Sequence, residues 1–254
     1  MTLLRGAIAA EWTKVWSLRS TWWTLVAALG LMGLMSAILA TSTATNNDSG
    51  DPALHQGVVQ DSDMAVGAID LVQFVLITLA ILMITSEYAT GSIRTTLQWV
   101  PVRGRMLAAK ATVATALILP TGLILGTVGT AVAGPLLDRW GRFSPGQAAA
   151  DVAAIGVYLV LISVFILSVG AMLRSTAGTL TTAFLFLMAL PMLLANSKMG
   201  LLKHISDALP SSAGRHFMSG DAAPYPPAVA LLVMGAWAAA AATLATFTLR
   251  RRDA

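Results

Sequence analysis

Six long apolar runs constrain the fold of this 254-residue chain more than any other feature of its sequence. A helix needs about 20 apolar residues to cross the hydrocarbon core of a bilayer. Hydrophobic residues make up 56% of the chain and charged residues 11%, against about 25% charged in ordinary soluble domains. We therefore predict an all-α, polytopic membrane protein, residues 1–254 forming a single transmembrane domain with six transmembrane helices at 22–42, 66–86, 107–134, 152–173, 177–195 and 227–249.

Basic residues are divided unequally between the two sets of connections. With the N-terminus inside, 11 of the 16 lysines and arginines fall on the inner side and 5 on the outer side. The positive-inside rule then places both termini in the cytoplasm, with 250–254 as a basic tail. The inner set is Arg5, Lys14, Arg19, Arg94, Arg103, Arg105, Lys110, Arg174, Arg250, Arg251 and Arg252, and the outer set is Arg139, Arg142, Lys198, Lys203 and Arg215.

Residues 1–21 are predicted to form a helix that lies on the inner membrane surface and turns into the first span. Apolar side chains recur there at helical spacing, at Leu4, Ile8, Trp12 and Val15. The tryptophans of this region are aromatics of the kind found at headgroup level, namely Trp12, Trp16, Trp22 and Trp23.

Glu11 interrupts this pattern, because it borders the apolar face of the predicted surface helix. Its simplest partner is Lys14, one turn further along the helix. The alternative is a functional ion pair between Glu11 and another cytoplasmic element.

Several chemistries are excluded by residues that the sequence lacks. It contains no cysteine, so disulfides and thiolate sites are excluded, and its three histidines show no metal-site spacing. The lysines follow Thr, Ala, Ser and Leu, so no Gly-Lys phosphate-binding loop is present. We expect no enzyme activity and no cofactor on this chain. The net charge of +4 is explained by membrane orientation, so we expect no nucleic-acid partner.

The stretch SEYATGSIRTTLQWVPVRGR, residues 86–105, is polar and basic although it lies between two apolar runs. Within it, Ser92 can cap a short helix that Pro101 stops. Ile93, Leu97 and Val100 fall on one face of that helix, and Arg94 falls on another. One interpretation is a turn anchored on the membrane surface by basic residues; the other is a helix that docks on a soluble partner.

Two blocks of sequence, EWTKVWSLRSTWWTL and SEYATGSIRTTLQWVPVRGRMLAAK, resemble permease subunits of ABC exporters of the type-2 superfamily. The chain is most similar to the compact six-span kind abundant in actinobacteria, which implies the plasma membrane of a bacterium. The resemblance implies a connecting helix on the inner surface, with Glu11, Trp12, Lys14 and Arg19. It also implies a cytoplasmic coupling helix at 89–100, between spans two and three, that docks on an ATPase subunit, with the residues Glu87, Tyr88, Ile93, Arg94, Leu97 and Val100.

The same resemblance implies partners and a pathway. The permease works as a dimer, with a second copy of this chain and two ABC ATPase subunits that carry ATP and Mg, surrounded by membrane lipids. Spans two and five line the pathway, and segment 197–224 resembles the short, partly re-entrant outer helices of such permeases. The candidate pathway side chains suit an amphiphilic or apolar substrate, such as a drug, antibiotic, peptide or lipid. They are Gln73, Phe74, Thr78, Thr181, Thr182, Phe184 and Met188.

Two other classes of protein remain open at this point. An ATP-independent secondary transporter normally carries intramembrane ionisable residues and repeated halves, and we identify neither in the sequence. A non-transporting membrane protein, such as an immunity or sensor subunit, can reuse a permease-like scaffold. Association with an ATPase would favour the exporter over both.

Overall fold

The computed structural model describes residues 2–99, 102–195 and 199–251, with the side chains of residues 2, 3, 94, 97 and 99 outside that description. The described residues form eleven α-helices and one short strand pair. The helices are α1 Thr2–Ser17, α2 Arg19–Asp48, α3 Asp61–Ala89, α4 Ile93–Trp99, α5 Arg103–Leu137, α6 Pro145–Leu173, α7 Thr176–Phe184, α8 Leu190–Ala195, α9 Gly200–Asp207, α10 Pro210–Ser219 and α11 Pro227–Arg251; the strands are β1 Val59–Gln60 and β2 Gly141–Arg142.

Six helical segments are long and apolar enough to cross a membrane, and each contains one of the predicted spans. They are α2, α3, α5 with the turn that follows it, α6, the segment Thr176–Ala195 and α11. The all-α architecture with six candidate spans is therefore confirmed. The surface helix and the short helix predicted between spans two and three also exist as helices, α1 and α4.

The long helices run alternately in opposite directions, which gives the bundle two distinct ends. We call one the α1 end: it holds α1, α4, the start of α5, the α6–α7 junction and the last turn of α11. We call the other the β end, because the two strands pair there in parallel, Val59 with Gly141 and Gln60 with Arg142. The residues assigned to the inner set and the outer set by charge fall at the α1 end and the β end respectively, among those the structure describes.

Helix α6 lies at the centre of the bundle and packs against α3, α5 and α11. Small residues permit the closest of these approaches. A Cβ atom added at Gly122 of α5 would lie 2.9 Å from the Cα of Gly156 in α6, closer than real carbon atoms come. The backbones of α5 and α6 therefore meet here without intervening side chains, as small residues allow in membrane helices.

The fifth span is helical along its length but is not a regular α-helix. It consists of α7, a π-helical turn Leu185–Ala189, and α8. Pro191, the second residue of α8, has no N–H to donate to a carbonyl of the preceding turn, so one α-helical hydrogen bond is missing just after the π-helical turn. The hydroxyl of Ser211 in α10 donates to the carbonyl of Phe186 at 3.4 Å. A neighbouring helix thus supplies a donor where the span departs from α-helical bonding.

Segment 197–224, predicted to hold short outer helices, contains α9 and α10. Helix α10 is seated on α6 through Gly214, where an added Cβ would lie 2.0 Å from the Tyr158 ring. An ion pair joins Arg215 of α10 to Asp70 of α3 at 2.8 Å. Arg215 lies 145 positions from Asp70 in the chain, so this pairing follows only from the fold.

Candidate functional site

Four charged side chains meet at the α1 end in what we call the ionic cluster: Glu11 of α1, Lys14 of α1, Glu87 of α3 and Lys110 of α5. Lys110 is at its centre and is 0% exposed. Its ammonium group donates to Glu11 Oε2 at 2.8 Å, to Glu87 Oε1 at 2.8 Å and to the carbonyl of Met83 at 2.9 Å. All three N–H groups of the buried lysine are therefore used.

Lys14 closes the cluster from the solvent side, with 47% of its side chain exposed. Its ammonium group contacts Glu11 Oε1 at 3.1 Å and Glu87 Oε1 at 2.8 Å. Burial lowers the pKa of Lys14, but the hydrogen bond that Lys14 donates to Glu87 and the charges of Glu11 and Glu87 outweigh it, so the pKa is raised above its ordinary value. Lys14 therefore stays protonated throughout the neutral range.

The cluster binds together three helices that are far apart in sequence. Two carboxylates and two ammonium groups give it no net charge, which is the condition under which charges can be buried. Removing one partner of such a buried set leaves an uncompensated charge and costs about 3–5 kcal/mol. The second half of α1 is thereby fixed to the end of α3 and to the start of α5, and it cannot move independently of them at low energetic cost.

Sequence reasoning identified part of this cluster and missed its centre. Glu11 pairs with Lys14, as its simplest interpretation predicts, and it also pairs with Lys110 of the third span, a partner that the sequence reasoning did not propose. Lys110 had been counted only as an inner basic residue. A signal was present: Lys110 lies inside the predicted third span, and an ionisable residue within a span marks a functional site or a buried partner.

The contact face of α1 differs from the predicted apolar stripe. The buried residues are Ala7, Glu11 and Val15, one turn apart, whereas Leu4 and Trp12 are exposed. The glutamate that interrupted the stripe is thus the middle of the face that packs on the bundle. Its ion pair with Lys110 explains why an acidic residue occupies that position.

Of the other connecting-helix residues, Arg19 begins α2 and is exposed. Trp12 stacks edge-on against Trp16 at 5.7 Å between ring centroids, and Trp16 contacts Trp22 at 5.0 Å. Because Trp22 belongs to α2, these aromatic contacts brace the break between α1 and α2 at Leu18.

Helix α4 covers part of the α1 end, and its contacts correct one prediction. Ile93 was among the residues expected to dock on an ATPase subunit, but it is 4% exposed and belongs to the main hydrophobic core of this chain. Among the α4 side chains that the structure describes, the exposed ones are polar, Thr95 and Gln98. The side chains of Arg94 and Leu97, and the whole of Val100, lie outside the described residues.

Tyr88, the residue after Glu87, holds the end of α3 on its other side. The guanidinium carbon of Arg174 lies 5.1 Å from the centre of the Tyr88 ring, a cation–π contact. Arg174 ends α6 in a left-handed conformation, with φ 55° and ψ 21°. The Glu87–Tyr88 pair therefore joins the end of α3 to α1 and α5 on one side and to the α6–α7 junction on the other.

The candidate pathway residues are brought together only in part. Phe74 of span two and Phe184 of span five contact each other, with ring centroids 6.2 Å apart. Thr181, Phe184 and Met188 are exposed on one face of span five. Thr78 and Thr182 are half-buried, and their hydroxyls donate to carbonyls of their own helices.

Gln73 is the member of this set that lies elsewhere. It is almost fully buried, and its side-chain oxygen accepts a hydrogen bond from the Tyr158 hydroxyl at 2.5 Å. Its amide donates to the carbonyl of Asp70 at 2.9 Å. Gln73 is thus a structural residue between α3 and α6 in this chain, and its side chain does not face an open pathway.

Two larger cavities lie at opposite ends of the described structure. The α1-end cavity has a volume of about 580 Å³ and lies between the α1–α2 junction, α3 and α4, beside the ionic cluster. The β-end cavity has a volume of about 480 Å³ and lies between span five, α9 and α10, with Asp70, Asp207, Arg215 and His216 among its lining residues.

Comparison with known proteins adds no assignment to this geometry. No protein-family model matches the chain, and no curated protein matches its sequence.

Proposed function

We propose that this chain is the membrane-spanning permease subunit of an ATP-driven ABC exporter, acting as a dimer with two separate ATPase subunits. The observation that carries the proposal is the buried ion pairing of Lys110 with Glu11 and Glu87. This pairing joins α1, which resembles the connecting helix, to α3 and α5. These two spans flank α4, which resembles the coupling helix. A displacement of the α1 end would therefore be transmitted to spans two and three together.

We infer that the ATPase docks on the face of α4 that carries Thr95 and Gln98. Thr95 and Gln98 are exposed there, whereas Ile93 anchors the helix in the core. An anchored helix with an outward polar face can be pushed by a soluble partner without detaching from its own bundle. ATP and Mg belong to that partner, because this sequence has no Gly-Lys phosphate-binding loop.

The substrate pathway is assigned to the face shared by spans two and five, at the interface with the second copy. Only 17% of an apolar 18-residue stretch of span five is buried within one chain. Its exposed Phe184 contacts Phe74 of span two, and Met188 is exposed one turn further along the span. Aromatic and thioether side chains of this kind favour an amphiphilic or apolar substrate.

The test is co-expression with candidate ABC ATPase subunits, followed by co-purification and a screen for substrate-stimulated ATP hydrolysis. Gln98→Trp should reduce ATPase association at least about tenfold, since a large side chain obstructs the docking face, and tenfold corresponds to about 1.4 kcal/mol. Gln56→Trp, an exposed glutamine at the β end, is the matched control and should leave association unchanged.

Two results would refute the proposal. One is a wild-type chain that forms no complex with any ABC ATPase. The other is transport by the purified chain alone, driven by an ion gradient without ATP, which would identify a secondary transporter.

A further inference from the structure

The α1-end cavity combines an apolar wall and a polar wall along one helix. The lining residues along α3 change from Leu79 and Leu82 to Ser86 and Glu87, and Thr90 follows directly after the helix. At 1.5 Å per residue this change extends over about 16 Å. A site with this gradient suits an amphiphile whose chain lies against the leucines and whose headgroup lies at the α1 end.

The cavity is placed where a bilayer lipid can enter it. Leu18, at the break between α1 and α2, and Leu82 of α3 both line it and are both exposed on the outside of the bundle. Trp22 and Trp23 follow Leu18 on the exposed surface of α2, and tryptophan is typical of the headgroup level of a bilayer. A volume of about 580 Å³ accommodates a lipid headgroup with the beginning of its chains.

Glu87 supplies a specific requirement for the ligand. It lines the cavity, is 7% exposed, and directs Oε1 to the two lysines. Its other oxygen, Oε2, is buried and has no hydrogen-bond partner among the described residues. A buried acceptor left without a donor costs about 1–3 kcal/mol, and more when it is charged. A ligand that brings an N–H donor would remove this cost.

Lys14 supplies the complementary requirement. Its ammonium group has three donors, of which Glu11 and Glu87 engage two, and it also lines the cavity with about half of its side chain exposed. The remaining donor suits an anionic oxygen. The cavity therefore offers an acceptor for an amine, Glu87 Oε2, and a donor for a phosphate, the Lys14 ammonium group. The two are close together, because Lys14 Nζ lies 2.8 Å from Oε1 of the same carboxylate.

We propose that the α1-end cavity binds a membrane phospholipid with a primary-amine headgroup, of the ethanolamine class. The ammonium group donates to Glu87 Oε2, the phosphate accepts from Lys14, and the first part of an acyl chain lies against Leu79 and Leu82. This binding requires neither an ATPase nor a transported substrate, so it stands or fails independently of the proposed transport function.

The test compares two soluble lipids that differ only in the headgroup nitrogen. Dihexanoyl phosphatidylethanolamine carries N–H donors, whereas dihexanoyl phosphatidylcholine has three methyl groups in their place. Binding to the purified full-length chain in detergent is measured by tryptophan fluorescence. We expect the ethanolamine lipid to bind at least about tenfold more tightly, a difference of about 1.4 kcal/mol. Dihexanoyl phosphatidylglycerol, which is anionic and lacks an amine, should bind no better than the choline lipid.

Variants locate the binding. Leu82→Trp should fill the cavity and abolish binding, while Leu71→Trp, an exposed leucine of the same helix outside the cavity, should leave it unchanged. Glu87→Gln should remove the preference for ethanolamine over choline. Equal binding of the two lipids by the wild-type chain, tightest binding of phosphatidylglycerol, or wild-type binding by Leu82→Trp would each overturn the proposal.

Discussion

Lys110 and Glu11 lie 99 positions apart in the chain, yet the lysine ammonium contacts the Glu11 carboxylate at 2.8 Å inside the bundle. Glu11 belongs to a helix outside the six candidate spans and Lys110 to the third span. The ion pair therefore determines how the peripheral helix α1 is attached to the membrane-spanning part of the protein.

The first prediction concerns the unequal contribution of the two lysines of the ionic cluster. Lys110→Met leaves two carboxylates facing a single ammonium group and should reduce the free energy of unfolding by about 3–5 kcal/mol. Lys14→Met removes a half-exposed partner and should cost about 1 kcal/mol or less. Thermal unfolding of both purified variants in the same detergent measures the difference. Equal loss in the two variants would contradict the burial of Lys110 as the source of the effect.

A second prediction distinguishes the two faces of α4. Ile93→Ala truncates a side chain in the main core and should destabilise the chain by about 2–5 kcal/mol, as other buried isoleucines do. Gln98→Ala, on the exposed face, should change stability by no more than about 0.5 kcal/mol. The comparison needs no partner, because unfolding of the chain alone is measured. An Ile93→Ala variant as stable as Gln98→Ala would show that Ile93 is not a core residue.

A third prediction tests the close contact between α5 and α6. Gly122→Ala places a carbon 2.9 Å from Gly156 Cα, so the helices must separate, which should cost about 1–3 kcal/mol. Gly33→Ala is the matched control, because that helical glycine in α2 has nothing within 4 Å of an added Cβ. There the substitution should be neutral or stabilise by up to about 1 kcal/mol, since alanine favours helix. Destabilisation of both variants alike would contradict the packing explanation.

The last prediction concerns orientation and uses the absence of native cysteine. Asp51→Cys lies in the exposed connection at the β end, and Ser92→Cys lies at the exposed start of α4. With the α1 end in the cytoplasm, an impermeant thiol reagent added to intact cells should label the first variant and not the second. After membrane disruption both should label. Labelling of Ser92→Cys alone in intact cells would reverse the assignment.

The sequence by itself determined the six spans, the presence of helices at α1 and α4, and the division of basic residues between the two ends. These features are local: about 20 apolar residues are recognisable as a span, and a capped, proline-stopped run as a short helix, without knowledge of what they pack against. Hydropathy and turn chemistry act over a few residues, so they can be read from neighbouring positions.

Only the tertiary structure decided which side of each helix is buried and which charges meet. In the sequence, Glu11 interrupts an apolar stripe without an evident reason. The structure supplies the reason, because Lys110 of a distant span forms an ion pair with it. The sequence predicted that Ile93 is available to a partner, but its side chain is buried in the core of its own bundle. Burial of a charge requires a partner of opposite charge, and here that partner is tens of residues away, so no local pattern reveals it.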